Sequence, residues 1–393
     1  MADRSGGRTD MKRALLLGVA LAATPAAAQT ITLKPIVDAR LRYEGVDQDG
    51  IARDADAVTL RLRSGVTATT GPWSALVEAE GTLGVVNRYN STTNGKTRFP
   101  TVADPQNIEL NRIQLQYKGI AKTTVTVGRQ RINLDDQRFV GSVGWRQNEQ
   151  TFDAVRVETA ALGPLVADVT YSWSDRTIYG IDSRLQAISG DNVFAQLGTK
   201  AGPVAVKGFA YLIDQDEAGR RQFSSQTYGL RAAASFPLAK DMKLGLLGSY
   251  ARQSDYASNP GNYAANYWLG EAALGVKHFT VTGGYEVLGA NIQTPLATLH
   301  KFNGWADKFL VTPANGLRDA YASVGYTGPV SALIAWHHFE SDRLSQNYGN
   351  EWNAQVGWKA TKHTALLVKY ADYNAKRFAT DTRKLWLQLD YTL

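Results

Sequence analysis

The sequence predicts an all-β fold: a transmembrane antiparallel β-barrel of eighteen strands, with sixteen as the alternative count. Three observations predict it. The segment Lys384–Leu393 alternates strictly, with Leu385, Leu387, Leu389, Tyr391 and Leu393 on one face and Lys384, Trp386, Gln388, Asp390 and Thr392 on the other. The same two-residue period recurs along the chain, placing Arg, Lys, Glu and Gln opposite Trp, Tyr and Leu. Connections between these segments alternate between tight turns and long polar loops. Lipid outside and water inside impose this pattern on membrane barrels.

The chain opens with a different signal. Lys12-Arg13 precede the apolar run Ala14–Ala23, and small residues close it at Ala26-Ala27-Ala28. A basic start, a short apolar core and a small-residue end describe a cleaved secretory signal peptide. Residues 1–28 are assigned to it, with Met11 as a plausible true start, and 29–393 to the barrel. Removing residues 1–28 takes four basic and two acidic residues from totals of 43 and 36, leaving a net charge of +5. There is no Cys, so disulfides and cysteine-bound metals are excluded. No later stretch is apolar enough for a helical span. Eighteen Tyr and nine Trp suit the aromatic girdles of a membrane barrel.

The strands follow in order. In Thr59–Arg63, Leu60 and Leu62 face one way and Thr59, Arg61 and Arg63 the other. Arg112–Lys118 and Glu351–Lys359 repeat the alternation. Most segments run roughly 10–14 residues, longer than the usual globular strand and suited to a tilted crossing. Tight connections are expected at 70–73, 119–122, 162–164, 201–203, 237–240, 277–278, 327–329 and 361–363. Four contain Gly-Pro, which supplies turn geometry and removes a ladder donor. Longer loops are expected at 45–53, 88–106, 132–151, 175–191, 214–224, 255–262, 289–316, 341–348 and 374–381. Nine loops and eight turns join eighteen strands. Short segments near 192–200 and 278–288 keep sixteen open. Both termini and the short turns are then periplasmic, and the long loops face outward.

Two loop regions carry more specific sequence. One runs Gly128-Arg129-Gln130-Arg131-Ile132-Asn133-Leu134-Asp135-Asp136-Gln137-Arg138-Phe139-Val140-Gly141 and continues through Trp145-Arg146-Gln147 to Arg156. The other runs from Gln293 through His300-Lys301-Phe302-Asn303-Gly304-Trp305-Ala306-Asp307-Lys308-Phe309 to Asp319. Both resemble the alginate-export family of outer-membrane proteins. The resemblance implies an eighteen-stranded barrel with an arginine-rich constriction, through which the family's namesake passes an anionic polysaccharide. The namesake also carries a long periplasmic loop near its C-terminus. Here the corresponding connection is only 361–363, which favours passage of small solutes.

The expected function is a bacterial outer-membrane porin for small anionic or sugar-acid solutes, with export of an anionic polysaccharide such as alginate as the alternative. Strand parity places Arg40, Arg42, Arg61, Arg63, Arg112, Lys118, Arg156, Lys207, Arg231, Lys359 and Lys369 inside, as pore-lining selectivity residues. Rings of Arg or Lys select anions because a low-dielectric wall focuses their field on the water column. Asp38, Glu109, Glu271, Glu286, Glu351 and Asp390 also point inward and offset part of that charge. Asp135, Asp136, Arg138 and Arg146 are constriction candidates on the third loop, beside Trp145. The alternative for that loop is a salt-bridged external cap. Residues 289–316 are expected to form a short amphipathic helix packed into the barrel mouth.

An enzyme is not expected. The five His, at 278, 300, 337, 338 and 363, form no recognisable triad or metal spacing. No cofactor or metal is expected. The expected partners are outer-membrane lipid and lipopolysaccharide, the solutes and the barrel-assembly machinery, with no nucleic acid.

Overall fold

A computed structural model describes residues 30–393; the expected signal peptide lies outside the described residues. Eighteen strands form one antiparallel sheet. They are β1 (Thr32–Gln48), β2 (Ala55–Thr70), β3 (Trp73–Arg88), β4 (Asn107–Ile120), β5 (Thr123–Gln130) and β6 (Thr151–Leu162). Next come β7 (Leu165–Arg176), β8 (Ala187–Ala201), β9 (Val204–Ile213), β10 (Ser225–Ala239), β11 (Met242–Asp255) and β12 (Ala264–Val276). The last are β13 (Phe279–Leu288), β14 (Leu317–Tyr326), β15 (Val330–Glu340), β16 (Asn347–Lys359), β17 (Thr364–Ala375) and β18 (Thr382–Thr392). Each strand pairs with its neighbours in sequence, and β1 pairs with β18 to close the sheet. Closure leaves no edge with unpaired backbone groups, the condition for crossing lipid without helices.

The strand count settles at eighteen because the doubtful segments are full strands. Residues 192–200 lie within β8, and β13 begins at Phe279. Each of the eight expected tight turns lies at a strand junction, and the nine long loops gather at the other rim.

The core is inverted relative to a water-soluble domain. Leu41, Leu60, Leu62, Ile113, Leu230 and Val281 are exposed on the outer face, while Arg42, Arg61 and Arg63 are buried within. Aromatic side chains ring both ends of this apolar band. Trp73 packs on Tyr117 at the short-turn rim, with ring centroids 4.4 Å apart, and Tyr250 packs on Trp268 toward the long-loop rim at 4.2 Å. Such girdles mark the two membrane interfaces. No helix of the described residues is long and apolar enough to cross a membrane.

The lumen is not empty. The third long loop (131–150) and the seventh (289–316) turn inward and meet. Gly141 donates its amide to the carbonyl of Leu296 at 2.8 Å, and Gln150 Nε2 donates to the same carbonyl at 3.0 Å. Ile132, Leu134, Val140 and Leu296 from these loops join Phe152, Phe194 and Tyr267 of the wall in one buried cluster. The expected amphipathic helix at 289–316 is corrected to a single 3-10 turn, Leu299–Lys301. Positive φ angles at Asn303, Gly304 and Asp307 break any longer helix. Its apolar residues do pack inward, with Leu296 and Phe309 buried.

Candidate functional site

Like charges placed opposite each other on adjacent strands explain much of the lumen. Arg40 of β1 faces Arg61 of β2, and Lys207 of β9 faces Arg231 of β10. Such pairs are destabilising unless a counter-charge lies between them. The first is balanced within the wall: Arg40 donates to Asp390 at 2.8 Å, and Arg61 pairs with Asp38. The second is balanced by the third loop, which brings Asp135 to Lys207 and Asp136 to Arg231, the latter at 2.8 Å.

These two cationic pairs stand nearly half the strand order apart, so a loop serving both spans the lumen. The far end of the third loop reaches the first pair's wall. The Trp145 carbonyl accepts from Arg40 at 3.1 Å, and the Arg42 guanidinium lies 4.0 Å over the Trp145 ring. Gln147 donates to Thr59 at 2.8 Å. Glu149 accepts from Arg131 at 2.6 Å and from Asn111 at 2.6 Å, and lies 3.4 Å from Arg63. Arg63 also pairs with Glu80, the residue opposite it on β3. Arg138 lies 3.0 Å from Glu286 of β13. The third loop thus lies across the lumen rather than capping it.

The seventh loop is fixed by Asp307. Its carboxylate accepts from Arg146 at 2.8 Å, from Lys384 at 2.6 Å and from His300 Nδ1 at 2.6 Å. The first donor belongs to the third loop and the second to β18, so one carboxylate ties both loops to the wall. Beside it Lys369 of β17 donates to His300 Nε2 at 2.8 Å. Its ammonium lies 3.8 Å from the Trp305 ring and 4.1 Å from the Trp145 ring, where cation–π attraction offsets its desolvation. Trp145 stacks on His300 at 4.5 Å. Glu351 of β16 accepts the Ala306 amide at 2.9 Å.

His300 sits on the loop, outside the spanning strands. Burial holds its pKa well below that of a free imidazole; Asp307 pulls the other way, and Lys369 adds to the lowering. A neutral ring satisfies both bonds, with Nδ1–H donating to Asp307 and Nε2 accepting from Lys369. Burial would raise Asp307, but the His300 hydrogen bond and the charges of Lys384 and Arg146 outweigh it and hold the carboxyl well below the usual range. The signs decide the pH behaviour. A released His300 takes up its proton near about 6.5, so the packed loop loses about 1.4 kcal/mol per pH unit below that value. Asp307 contributes its full stabilisation above its unfolded value and loses none between about pH 5 and 8. Loop opening, read as single-channel conductance, is therefore expected to rise from pH 7.5 to 5. His300→Gln should flatten the profile; an unaltered slope in that variant counters the assignment.

The structure places the eleven cations chosen by strand parity on the lumen face but in different settings, and Arg138 and Arg146 on the third loop. Arg112 makes a bidentate pair with Glu78 at 2.8 and 2.6 Å, and Arg156 does so with Asp168 at 2.9 and 2.6 Å. Arg42, Arg61, Arg63 and Lys369 are buried under the loops or against partners. Lys118 and Lys359 are exposed at the short-turn rim and form no ion pair among the described residues. Sequence reasoning did not single out Glu44, Glu78, Glu80, Glu149 or Lys384 as site residues. Parity alone could have flagged Lys384, which shares the inner face with Trp386.

A closed barrel with an apolar exterior, aromatic girdles and a charged lumen crossed by inward loops is the architecture of an outer-membrane channel. The alginate-export family profile matches residues 31–173. Among solved structures, the chain is similar to Acinetobacter baumannii OccAB4, with TM-score 0.73 and 14% identity over 93% of this chain and 99% of that one. It is also similar to Pseudomonas aeruginosa OccK1 (OpdK), at 0.70 and 11%, covering 92% and 98%, and to Pseudomonas aeruginosa OpdL, at 0.69 and 15%, covering 92% and 98%. OpdK has also been solved with vanillate. No curated protein matches in sequence.

Proposed function

We propose that the protein is a passive outer-membrane channel for small anionic solutes, sugar acids among them. The observation that carries this reading is the pair of inward loops. Together they bind β1, β2, β4, β9, β10, β13, β16, β17 and β18, so both loops lie within the lumen. A small solute can pass beside such loops, whereas a polymer needs both displaced. Lys207 and Arg231 of the wall, balanced one-for-one by Asp135 and Asp136 of the third loop, offer an incoming carboxylate an exchange of partners at little cost. The structure of OpdK, a barrel of similar fold, with vanillate agrees with this solute size. Export of an anionic polysaccharide, suggested by the family profile over residues 31–173, is the alternative.

Proteoliposome swelling tests the reading. Glucuronate should enter faster than glucose, and a long uronate oligomer should not enter. Absence of flux for every small solute through folded protein removes the channel; equal rates for acid and neutral sugar remove the anion preference.

A further inference from the structure

The cations at the short-turn rim of this barrel are lysines. Nine of the lysines, at 34, 118, 122, 200, 240, 243, 277, 359 and 362, lie at or beside the short-turn rim, and every one is exposed. The only acid in the eight turns themselves is Asp241. No arginine sits there; the arginines occupy the mid-lumen and the long-loop half, many of them in carboxylate pairs.

Five of these lysines face inward. Lys34 lies opposite Thr67, Lys200 opposite Ala205, Lys243 opposite Gly275 and Lys359 opposite Ala365, all on the parity of the lumen face, and Lys118 continues the inward series Gln114, Gln116. Each lies within two residues of the short-turn end of its strand. They come from β1, β4, β8, β11 and β16, spread around the whole circumference, so they form a ring rather than a patch. None forms an ion pair among the described residues.

Neighbouring ring lysines stand three to five strands apart, at least about 14 Å at roughly 4.8 Å per strand, so they repel one another little at physiological salt and their joint field is felt chiefly at low ionic strength. That field acts on every charge of a solute at once, so attraction grows in proportion to solute valence, and occupancy grows exponentially with it. We propose that the periplasmic mouth is a binding ring for polyvalent anions, built by Lys34, Lys118, Lys200, Lys243 and Lys359. The inference rests on the channel reading for its use, while the binding itself needs no flux.

The full chain in zwitterionic phosphatidylcholine nanodiscs at low ionic strength serves as the test. The probe is the trisulfonated dye 8-hydroxypyrene-1,3,6-trisulfonate, read by fluorescence anisotropy, with a pyrene monosulfonate for comparison. The trisulfonate should bind at least tenfold more tightly than the monosulfonate. Replacing the five ring lysines by Gln should weaken trisulfonate binding at least tenfold, and replacing them by Arg should preserve it. Replacing the four turn lysines, Lys122, Lys240, Lys277 and Lys362, should cost less than threefold. Heat-modifiable gel mobility confirms folding of each variant. Absence of trisulfonate binding, valence-independent binding, or a loss as large in the turn set overturns the ring. Loss of flux with binding retained would instead count against the channel reading alone.

Discussion

Replacing Asp307 by Ala opens the lumen: single-channel conductance rises several-fold, and trypsin gains access to the chain after Lys308, while the barrel keeps its heat-modifiable mobility. Asp307 is the shared acceptor of Arg146, Lys384 and His300. Without it Arg146 and Lys384 share Glu44, at 3.2 and 3.8 Å, while Asp104 lies 3.9 Å from both Arg146 and Arg42, so two carboxylates serve three buried cations. Removing one partner from a buried charge cluster costs about 3–5 kcal/mol. The cost falls on the loops, whose docking is a local equilibrium weaker than the barrel itself. The closed sheet has its own hydrogen bonds and lipid face and does not depend on Asp307. Asp307→Asn keeps the shape and one acceptor oxygen, so it should give an intermediate effect. Conductance and trypsin protection both unchanged in the Ala variant would show that the apolar contacts of Leu296 and Phe309 hold the loops without this latch.

Much of the wall was legible because lipid enforces it residue by residue. Leu60 and Leu62 are exposed and Arg61 and Arg63 buried, as alternation requires, and a one-residue slip would invert all four. The turns were legible for a similarly local reason: Gly71, Gly163 and Gly202 adopt positive φ ahead of or within the tight connections the sequence marked. The loops were less legible because their partners are remote. Asp135 meets Lys207, and Arg146 meets Asp307, across long stretches of chain that no periodicity links. The 289–316 segment shows the limit most plainly. Its Leu, Phe and Trp spacing suits a helix, but Asn303, Gly304 and Asp307 take left-handed backbone angles that turn His300 and Asp307 toward Lys369 and Lys384. Tertiary electrostatics overrode local pattern there.

The second large effect is on selectivity. Replacing Arg112 and Arg231 together by Ala should lower the anion/cation permeability ratio, read from reversal potential in planar bilayers. Both side chains face the lumen, since their neighbours Ile113 and Leu230 are exposed to the lipid side. The opposite register would put each Arg in hydrocarbon at about 2–4 kcal/mol near the midplane. Each now neutralises a carboxylate: Arg112 holds Glu78 at 2.6 Å, and Arg231 holds Asp136 at 2.8 Å. The double variant therefore removes two cations and uncovers two anions. A unit charge 4 Å from a passing ion is worth about 1 kcal/mol even in bulk water, or roughly fivefold in occupancy. A fall of at least about fivefold in the ratio is thus expected at low salt, shrinking as ionic strength rises. Assembly should survive, because Glu78 keeps a hydrogen bond from Asn111 and Asp136 lies on a loop. Arg112→Gln with Arg231→Gln retains side-chain volume and should shift the ratio equally, separating charge from packing. An unchanged reversal potential in both folded variants would assign the field of the pore to Arg138 and Arg146 of the third loop or to the lysine ring.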